Sequence, residues 1–302
     1  MVVKKKVDGF NWYLDISDGG IGRTLYHSNT IGEGFSFSRE CAFMHILNET
    51  IKPGMTCIDL GANIGYATMM MLRNVGTSGF VYAIEPDSHN LKFLTININQ
   101  NGFFDPNLCE ITRCLITDQD GESLFWIAKH PNLNSVRKTK HSIRQETIPC
   151  FKLGTFCSSR KYPNFIKMDI EGHEVSVFES GYQYFKENDG ETHILLEIHP
   201  HFYNDDNDFA AILKKYFEIG FHCSYAISTP IPEPKVFLEK GYKPEKVVST
   251  DGFLRGIYRN IDNDDIIDIA CKENKEFWQG GVSKKIARSI MLSREQKGVI
   301  NG

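Results

Sequence analysis

The stretch that decides the fold is Cys57-Ile58-Asp59-Leu60-Gly61-Ala62-Asn63-Ile64-Gly65-Tyr66. It reads as an apolar strand that ends in a turn, punctuated by Gly61 and Gly65, and leads into a helix. Because glycine has no Cβ, a ligand can approach the backbone closely at these two positions. The next apolar run, 80–84, ends in Glu85. A glycine turn after one strand and a carboxylate closing the next are typical of an α/β sheet that holds a nucleoside, with the acid on the ribose hydroxyls.

The turn departs from the dinucleotide fingerprint at one position. The pattern G-x-G-x-x-G needs its second glycine where Asn63 stands, and that glycine normally lets the backbone approach a pyrophosphate. The pattern Asp59-x-Gly61-x-x-x-Gly65 instead suits S-adenosylmethionine, which carries no phosphate. A simpler interpretation is that the two glycines only make a tight strand-to-helix turn. The combination with Asp59 and Glu85 favours the nucleoside site.

The rest of the chain alternates strands with helices, which predicts a mostly parallel α/β sheet. Strands are expected at 55–60, 79–84, 109–117, 164–169, 193–198, 220–227 and 252–259, and helices at 39–50, 65–74, 87–101, 173–187 and 208–217. We expect an N-terminal extension over 1–50, with short strands at 10–16 and 23–26. The main domain would cover 51–260, with an insertion at 228–250. The segment 261–302 reads as a helical extension, and its basic residues could form a local basic face.

The composition is that of an ordinary globular protein, with 41% hydrophobic and 24% charged residues. The net charge of −4 gives no overall attraction to nucleic acid or to anionic membranes. The basic N-terminus lacks the apolar run of a secretory signal, and the apolar segment 67–72 is too short to cross a bilayer. The cysteines form no C-x-x-C pair, so we expect free thiols rather than a zinc site. A cytoplasmic protein without a membrane partner is expected.

Four blocks of the sequence resemble the FkbM-type S-adenosylmethionine-dependent methyltransferases, over about residues 40–200. They are Ile58-Asp59-Leu60-Gly61-Ala62-Asn63-Ile64-Gly65-Tyr66, Val81-Tyr82-Ala83-Ile84-Glu85-Pro86-Asp87, Phe165-Ile166-Lys167-Met168-Asp169-Ile170-Glu171-Gly172-His173-Glu174 and Leu195-Leu196-Glu197-Ile198-His199-Pro200. The third block is the most specific. Before it the family usually carries Leu-Asp-Asp, where this chain has Leu153-Gly154-Thr155.

The resemblance implies a seven-stranded, Rossmann-like methyltransferase sheet, mostly parallel with its last strand antiparallel. It also implies methyl transfer to a hydroxyl, often of a sugar. The residues expected to bind the donor are Asp59, Gly61, Asn63, Gly65, Glu85, Pro86, Leu115, Ile116 and Asp118. Strand order places the adenine against Leu115 and Ile116, with Asp118 nearby.

The candidates for catalysis cluster where the predicted strand 164–169 gives way to a loop and helix. They are Lys167, Asp169, Glu171 and His173. Asp169 is expected at the acceptor or at the amino end of the donor, and His173 or Glu171 as the general base, since a sugar hydroxyl is a poor nucleophile at neutral pH. Each has a structural alternative. Lys167 and Asp169 point to the same side of the strand and could form an ion pair, and His173 could make a helix-start contact.

Glu197 and His199 end the next strand, again on one side of it. We expect them to shape the acceptor pocket. A weaker alternative is that they bind a divalent cation together with Asp169.

Three functions follow from these residues. The first is an O-methyltransferase acting on a sugar, a glycan or a glycosylated metabolite. The second is a methyltransferase for nucleic-acid 2′-hydroxyls, to which the basic tail would supply phosphate contacts, although the acidic chain argues against it. The third is a non-catalytic module that binds the donor or a partner.

Overall fold

The computed structural model describes residues 1–17, 20–27, 40–128, 134–136, 140–170, 172–250, 252–272, 277–278, 281–282 and 285–296. The chain divides into two compact units, Met1–Phe151 and Lys152–Gly302. Each unit combines helices with strands, so the predicted α/β class is confirmed.

The first unit contains three groups of strands. Its strands are β1 (Val2–Val7), β2 (Phe10–Asp15), β3 (Thr56–Leu60), β4 (Phe80–Ile84), β5 (Cys109–Thr112), β6 (Leu115–Thr117), β7 (Gly121–Ala128) and β8 (Ser142–Lys152). Its helices are α1 (Ile21–His27), α2 (Cys41–Thr50), α3 (Tyr66–Val75) and α4 (Ser88–Gln100), with a 3-10 turn at Gly76–Ser78.

The strands β3, β4 and β5 are parallel and lie in that order. Every residue of β3 and β4 is buried, and strands covered on both faces read in the sequence as continuous apolar runs. The helices α3 and α4 follow β3 and β4. Asp87 caps α4, because its side chain accepts a hydrogen bond from the Asn90 N–H at 2.9 Å. The strand ends predicted to hold a nucleoside are therefore present in this unit.

The other strands of this unit form two small sheets. The strands β1 and β2 make an antiparallel hairpin. The strands β6, β8 and β7 lie in that order, with β7 antiparallel to β8. The predicted strand 109–117 is therefore two strands, β5 and β6, which belong to different sheets. The predicted strand at 23–26 is wrong, since these residues lie in α1.

The second unit contains one sheet and a separate two-residue strand pair. Its helices are α5 (Leu153–Ser158), α6 (Glu174–Glu187), α7 (Phe209–Glu218), α8 (Lys235–Glu239) and α9 (Asn263–Cys271), with a 3-10 turn at Pro200–Phe202. Its strands are β9 (Phe165–Met168), β10 (Thr192–Glu197), β11 (His222–Ser228), β12 (Lys246–Thr250), β13 (Phe253–Ile261), β14 (Phe277–Trp278), β15 (Gly281–Val282) and β16 (Ala287–Arg294).

The sheet of the second unit runs in the order β9-β10-β16-β11-β13-β12. The strands β9 and β10 are parallel, whereas β16 is antiparallel to both of its neighbours and β13 is antiparallel to β11 and β12. The sheet is therefore mixed, with more antiparallel pairing than the sequence predicted. The region 228–250, predicted as an irregular insertion, contains α8 and the strand β12.

The predicted helical tail over 261–302 is wrong in its last described part. After α9, the chain forms β16, which lies between β10 and β11. Because β16 is paired on both edges, nearly all of its residues are buried. None of the helices in the described part of the chain is long and apolar enough to span a bilayer.

Candidate functional site

The turn after β3 is built from residues in the left-handed backbone region. Gly61, Asn63 and Gly65 have φ angles of 78°, 52° and 99°. The N–H of Gly61 donates to the Ile84 carbonyl at 3.1 Å, which ties the turn to the end of β4. A Cβ at Gly65 would lie 2.8 Å from Leu94 Cδ1. The left-handed backbone therefore favours glycine at this position, and any larger residue would also have to displace the Leu94 side chain.

Asn63 connects this turn to the acid on the next strand. It takes the left-handed conformation that glycine would supply, and asparagine adopts that conformation more readily than most residues. Its N–H donates to Glu85 Oε2 at 2.7 Å, and its own Oδ1 accepts from the Ile64 N–H at 2.8 Å. The two features that the sequence assigned to one nucleoside site are thus joined by a hydrogen bond.

Glu85 is a buried carboxylate with neutral hydrogen-bond donors around it. Its other oxygen, Oε1, accepts from the Asp87 N–H at 2.9 Å and from Asn90 Nδ2 at 3.4 Å. Burial raises the pKa of Glu85 to about 7, against the lowering effect of these hydrogen bonds. Additional neutral donors, such as the two hydroxyls of a ribose, would stabilise the ionised form further.

Asp59 lies within β3 and is completely buried. Its Oδ2 accepts a hydrogen bond from the Thr68 hydroxyl at 2.6 Å. Thr68 is in the first turn of α3, so this contact fixes the start of the helix relative to the strand.

The sequence did not reveal that the β1–β2 hairpin supports this turn. The Tyr66 hydroxyl donates to Asp8 Oδ2 at 2.7 Å, and Tyr66 follows Gly65 directly. On α4, the Asn97 side chain donates to the Ile64 carbonyl at 3.0 Å and accepts from the Tyr13 N–H at 2.8 Å. These partners are far from the turn in the sequence, and no local pattern marks them.

The residues predicted around the adenine have different environments. Leu115 is buried in the core of the β6-β8-β7 sheet, where it packs with Phe125 and Ile148. Ile116 is also buried, whereas Asp118 is exposed. The Pro86 carbonyl accepts a hydrogen bond from Arg113 Nε at 3.0 Å. The structure brings Gly61, Asn63 and Glu85 together, and the assignment of an adenine site stays a prediction.

In the second unit, the predicted catalytic residues surround the end of β9. Lys167 is buried within β9, and Asp169 is half-buried just beyond it. His173 is the N-cap residue of α6, although its side chain makes no capping hydrogen bond. Glu171 lies outside the described residues. The roles assigned to these four residues stay predictions.

Glu197, at the end of β10, lies between two basic side chains from the C-terminal segment. Its Oε1 is 3.1 Å from Lys285 Nζ, and its Oε2 is 3.2 Å from Arg288 Nη2. Burial alone would raise the pKa of Glu197, but the two cations hold it at about 2. The sequence does not point to Lys285 and Arg288, because its pattern there predicts a helical tail. Their ion pairs also weaken the prediction that this tail offers a free basic face.

His199 pairs with a carboxylate that the sequence did not single out. Its Nδ1 is 2.8 Å from Oε1 of Glu174, the first residue of α6, and the two side chains are 5% and 0% exposed. Its Nε2 is 3.9 Å from Glu197 Oε1. Burial lowers the pKa of His199, but the hydrogen bond to Glu174 outweighs it and leaves that pKa above its usual value. Glu197 and His199 do lie together, as predicted.

The alternative of a divalent cation at Asp169, Glu197 and His199 finds no support. In the described ranges, no group of three or more His, Cys, Asp or Glu side chains is arranged to hold a metal ion. Glu197 and His199 instead have the partners given above.

Comparison with known proteins adds a family. A family model described as "Methyltransferase FkbM domain" matches residues 59–223, which is more than half of the chain. The match covers the turn after β3, Glu85 and both strand ends of the second unit. Comparison with curated proteins gives no match.

Several solved structures are similar to the chain. A SAM-dependent O-methyltransferase from Thermotoga maritima is 16% identical, with a TM-score of 0.40 over 85% of this chain and 65% of that one. A methyltransferase FkbM from Methylobacillus flagellatus KT is also 16% identical, with a TM-score of 0.40 over 72% of this chain and 50% of that one. A precorrin-6y C5,15-methyltransferase from Geobacter metallireducens GS-15 is 8% identical, with a TM-score of 0.41 over 90% and 97%. The chain thus spans only 65% and 50% of the first two proteins.

Proposed function

The chain belongs to the FkbM methyltransferase domain family, and on that premise we propose that it transfers a methyl group from S-adenosylmethionine to a hydroxyl of a sugar, a glycan or a glycosylated metabolite. The observation that carries the donor assignment is the buried Glu85 carboxylate, joined by a hydrogen bond to the left-handed turn after β3. When bound, S-adenosylmethionine supplies an activated methyl group on a sulfonium.

Three features of the first unit support the donor site. The turn at Gly61 and Gly65 offers backbone without a Cβ, so an extended ligand can lie against it. Glu85 presents both carboxylate oxygens at a strand end, and its donors in the described part of the chain are neutral. Asn63 lies where a pyrophosphate-binding glycine would stand, which favours a donor without phosphates.

The acceptor class rests on the polar groups of the second unit. At the end of β10, Glu197 and His199 offer hydrogen-bond partners suited to a ligand rich in hydroxyls. Methyl transfer from a sulfonium is an in-line displacement, in which the protein's main contribution is alignment of the two reactants. A sugar hydroxyl also needs a base, because it is a weak nucleophile at neutral pH.

Two measurements test this function. Calorimetry with S-adenosylmethionine should show binding to the wild type and weaker binding to Glu85→Gln, while Glu110→Gln, on the neighbouring strand β5, should bind like the wild type. Absence of binding to the wild type at millimolar ligand would overturn the donor assignment.

The acceptor is tested with methyl-labelled donor and separate pools of sugars, glycans, phenols and RNA. We expect label in the sugar or glycan pool, in a form stable to mild alkali, as a methyl ether is and a methyl ester is not. If the label is confined to the RNA pool, the proposed acceptor changes from a sugar hydroxyl to a nucleic-acid 2′-hydroxyl. Donor binding with no transfer in any pool would favour a non-catalytic module.

A further inference from the structure

Glu174 and His199 form a buried pair that the sequence did not predict. Glu174 is the first residue of α6 and is 0% exposed, and His199 lies two residues beyond the end of β10. The 2.8 Å contact joins Glu174 Oε1 to His199 Nδ1. The backbone next to this ring is also fixed, because the Tyr203 hydroxyl oxygen accepts the His199 N–H at 3.1 Å. Glu174 therefore holds the ring, and Tyr203 holds the main chain that carries it.

The hydrogen bonds of Glu174 determine the tautomer of His199. Oε1 of Glu174 also accepts the N–H of Gly172 at 2.9 Å. A carboxylate offers no proton, so His199 Nδ1 must be the donor in its contact with Oε1. In the neutral imidazole the lone pair then lies on Nε2, the nitrogen that faces Glu197. A histidine with Nδ1–H fixed by a carboxylate and a basic Nε2 is suited to accept a proton.

We propose that His199 is the general base of the methyl transfer and that Glu174 is the positioning residue that fixes its orientation and tautomer. This inference rests on the proposed function and deepens it. The sequence pattern favours His173 or Glu171 as the base. The structure supports His199 instead, because this histidine has a carboxylate partner at hydrogen-bond distance and a defined basic nitrogen.

The step balances in atoms and charge. His199 Nε2 takes the proton of the acceptor hydroxyl while the hydroxyl oxygen forms its bond to the methyl carbon. The bond between that carbon and the sulfonium sulfur breaks, and its electron pair stays on sulfur. The products are a methyl ether, S-adenosylhomocysteine and the His199 imidazolium, which loses its proton to water in the next half of the cycle.

The groups around His199 stabilise that imidazolium. Glu174 touches Nδ1, and the Glu197 carboxylate lies 3.9 Å from Nε2. Lys285 opposes them, since its charge acts against protonation of the ring, and Tyr203 and the His201 ring lie close as well. The two carboxylates prevail and raise the pKa of His199. Because the base must be neutral to act, activity should rise with pH through this raised pKa.

The first test is the pH profile of kcat/KM, measured with the acceptor that the labelled-donor assay identifies. His199→Gln should lower kcat by roughly 10²–10⁴-fold, the range for a general base. Glu174→Gln should lower kcat by roughly tenfold or more and move the acid limb of the profile to lower pH, because the anion that raises the pKa of His199 is gone. Glu174→Asp keeps the negative charge, so its fall in kcat and its shift of the acid limb should both be smaller. Glu179→Gln, on the exposed face of the same helix, is the matched control and should leave the profile unchanged.

The second test does not depend on turnover. The titration of His199 in the free protein is followed by NMR of the histidine ring protons, with His199→Gln used to assign the signal. The midpoint should lie above the usual histidine value and fall in Glu174→Gln. Donor binding, measured by calorimetry, should be unchanged in all four variants.

The outcomes separate the two proposals. Wild-type turnover in His199→Gln overturns the assignment of His199 as the general base. An unmoved acid limb in an active Glu174→Gln overturns the assignment of Glu174 as its positioning residue. If Glu174→Gln does not fold, Glu174→Asp carries the same test. If donor binding fails in the wild type, the proposed function fails on its own, while an unshifted His199 midpoint contradicts the pair regardless of function.

Discussion

Two strand-end carboxylates, one in each unit, have opposite surroundings. Glu85 receives hydrogen bonds from the neutral groups of Asn63, Asp87 and Asn90, and burial raises its pKa to about 7. Glu197 lies between Lys285 and Arg288, which bring its pKa to about 2 despite its burial. The ionised form of a strand-end glutamate is thus disfavoured at Glu85 in one unit and favoured at Glu197 in the other.

The difference indicates that the two carboxylates have different roles. An anion with neutral partners gains from any further donor, so Glu85 is suited to a ligand that brings hydroxyls. An anion already paired with two cations gains less from a hydroxyl than an anion with neutral partners does, so Glu197 contributes charge to the protein itself as well as an acceptor for a ligand. Glu197 therefore joins the end of β10 to Lys285 and Arg288, at the start of β16, and supplies negative charge near His199.

The largest expected effect is loss of stability on Glu197→Gln. The change removes the anion that pairs with Lys285 and Arg288, which should cost about 2–4 kcal/mol at pH 7, towards the low end of the range for buried pairs because the side chains are partly exposed. Since the folded-state pKa is lowered from 4.5 to about 2, the difference between wild type and variant should be full above pH 4.5 and shrink as the pH falls towards 2. Urea unfolding across this range measures it.

Glu191→Gln is the matched control for Glu197→Gln. Glu191 is half-exposed. Its Oε1 lies 3.3 Å from His193 Nε2, and this is its one ion pair among the described residues. Its replacement should change the free energy of unfolding by less than about 1 kcal/mol. An equal loss in both variants would contradict the proposed difference between paired and neutral surroundings.

Glu85→Gln should show the reverse pH dependence. Its folded-state pKa is raised above the ordinary 4.5, so its contribution is fully present below pH 4.5 and is lost as the pH rises through about 7. The stability of the wild type relative to the variant should therefore fall by about 2–3 kcal/mol between pH 4.5 and 8. Parallel unfolding curves for Glu85→Gln and Glu197→Gln give slopes of opposite sign; slopes of the same sign would refute the comparison.

Sequence reasoning succeeded where the signal is local. The strands β3 and β4 are continuous apolar runs, and the turn at Gly61 and Gly65 lies between β3 and its helix, so all of these could be placed to within a residue or two. The hydrogen bond from Asn63 to Glu85 then follows from parallel neighbours whose ends meet at one sheet edge. Asn63 departs from the glycine pattern in sequence, yet its backbone adopts the left-handed conformation that glycine would supply.

The parts that sequence reasoning missed depend on contacts between distant residues. The strand β16 looks like any mixed segment until β10 and β11 bury it from both edges. Glu174 looks like an ordinary acid at a helix start, and only His199, 25 residues later, gives it a role. The cations of Glu197 lie about 90 residues along the chain, and no spacing rule connects them.

The third prediction concerns the donor. Glu85→Gln should weaken S-adenosylmethionine binding by about 1–2 kcal/mol, or roughly 5- to 30-fold, because one acceptor oxygen for the ribose is lost. For the wild type, affinity should increase as the pH rises through about 7 and Glu85 ionises. Calorimetry at pH 6 and 8 measures both effects. A pH-independent affinity, or a variant that binds like the wild type, would remove Glu85 from the donor site.

The smallest expected effect concerns the support of the donor turn. Tyr66→Phe removes one hydrogen bond, from the Tyr66 hydroxyl to Asp8, while the ring and its contact with Trp12 remain. The free energy of unfolding should fall by about 0.5–1.5 kcal/mol, the usual net value of such a bond. The exposed Tyr26→Phe is the control and should be neutral.

Tyr66→Phe also tests how Glu85 is held. None of the donors that Glu85 has from Asn63, Asp87 and Asn90 involves the Tyr66 hydroxyl, so the affinity for S-adenosylmethionine should change by no more than about twofold even though stability falls. A loss of affinity as large as that of Glu85→Gln would mean that the hairpin determines the position of the turn. The neutral surroundings of Glu85 would then depend on β1 and β2, as the charged surroundings of Glu197 depend on Lys285 and Arg288 at the start of β16.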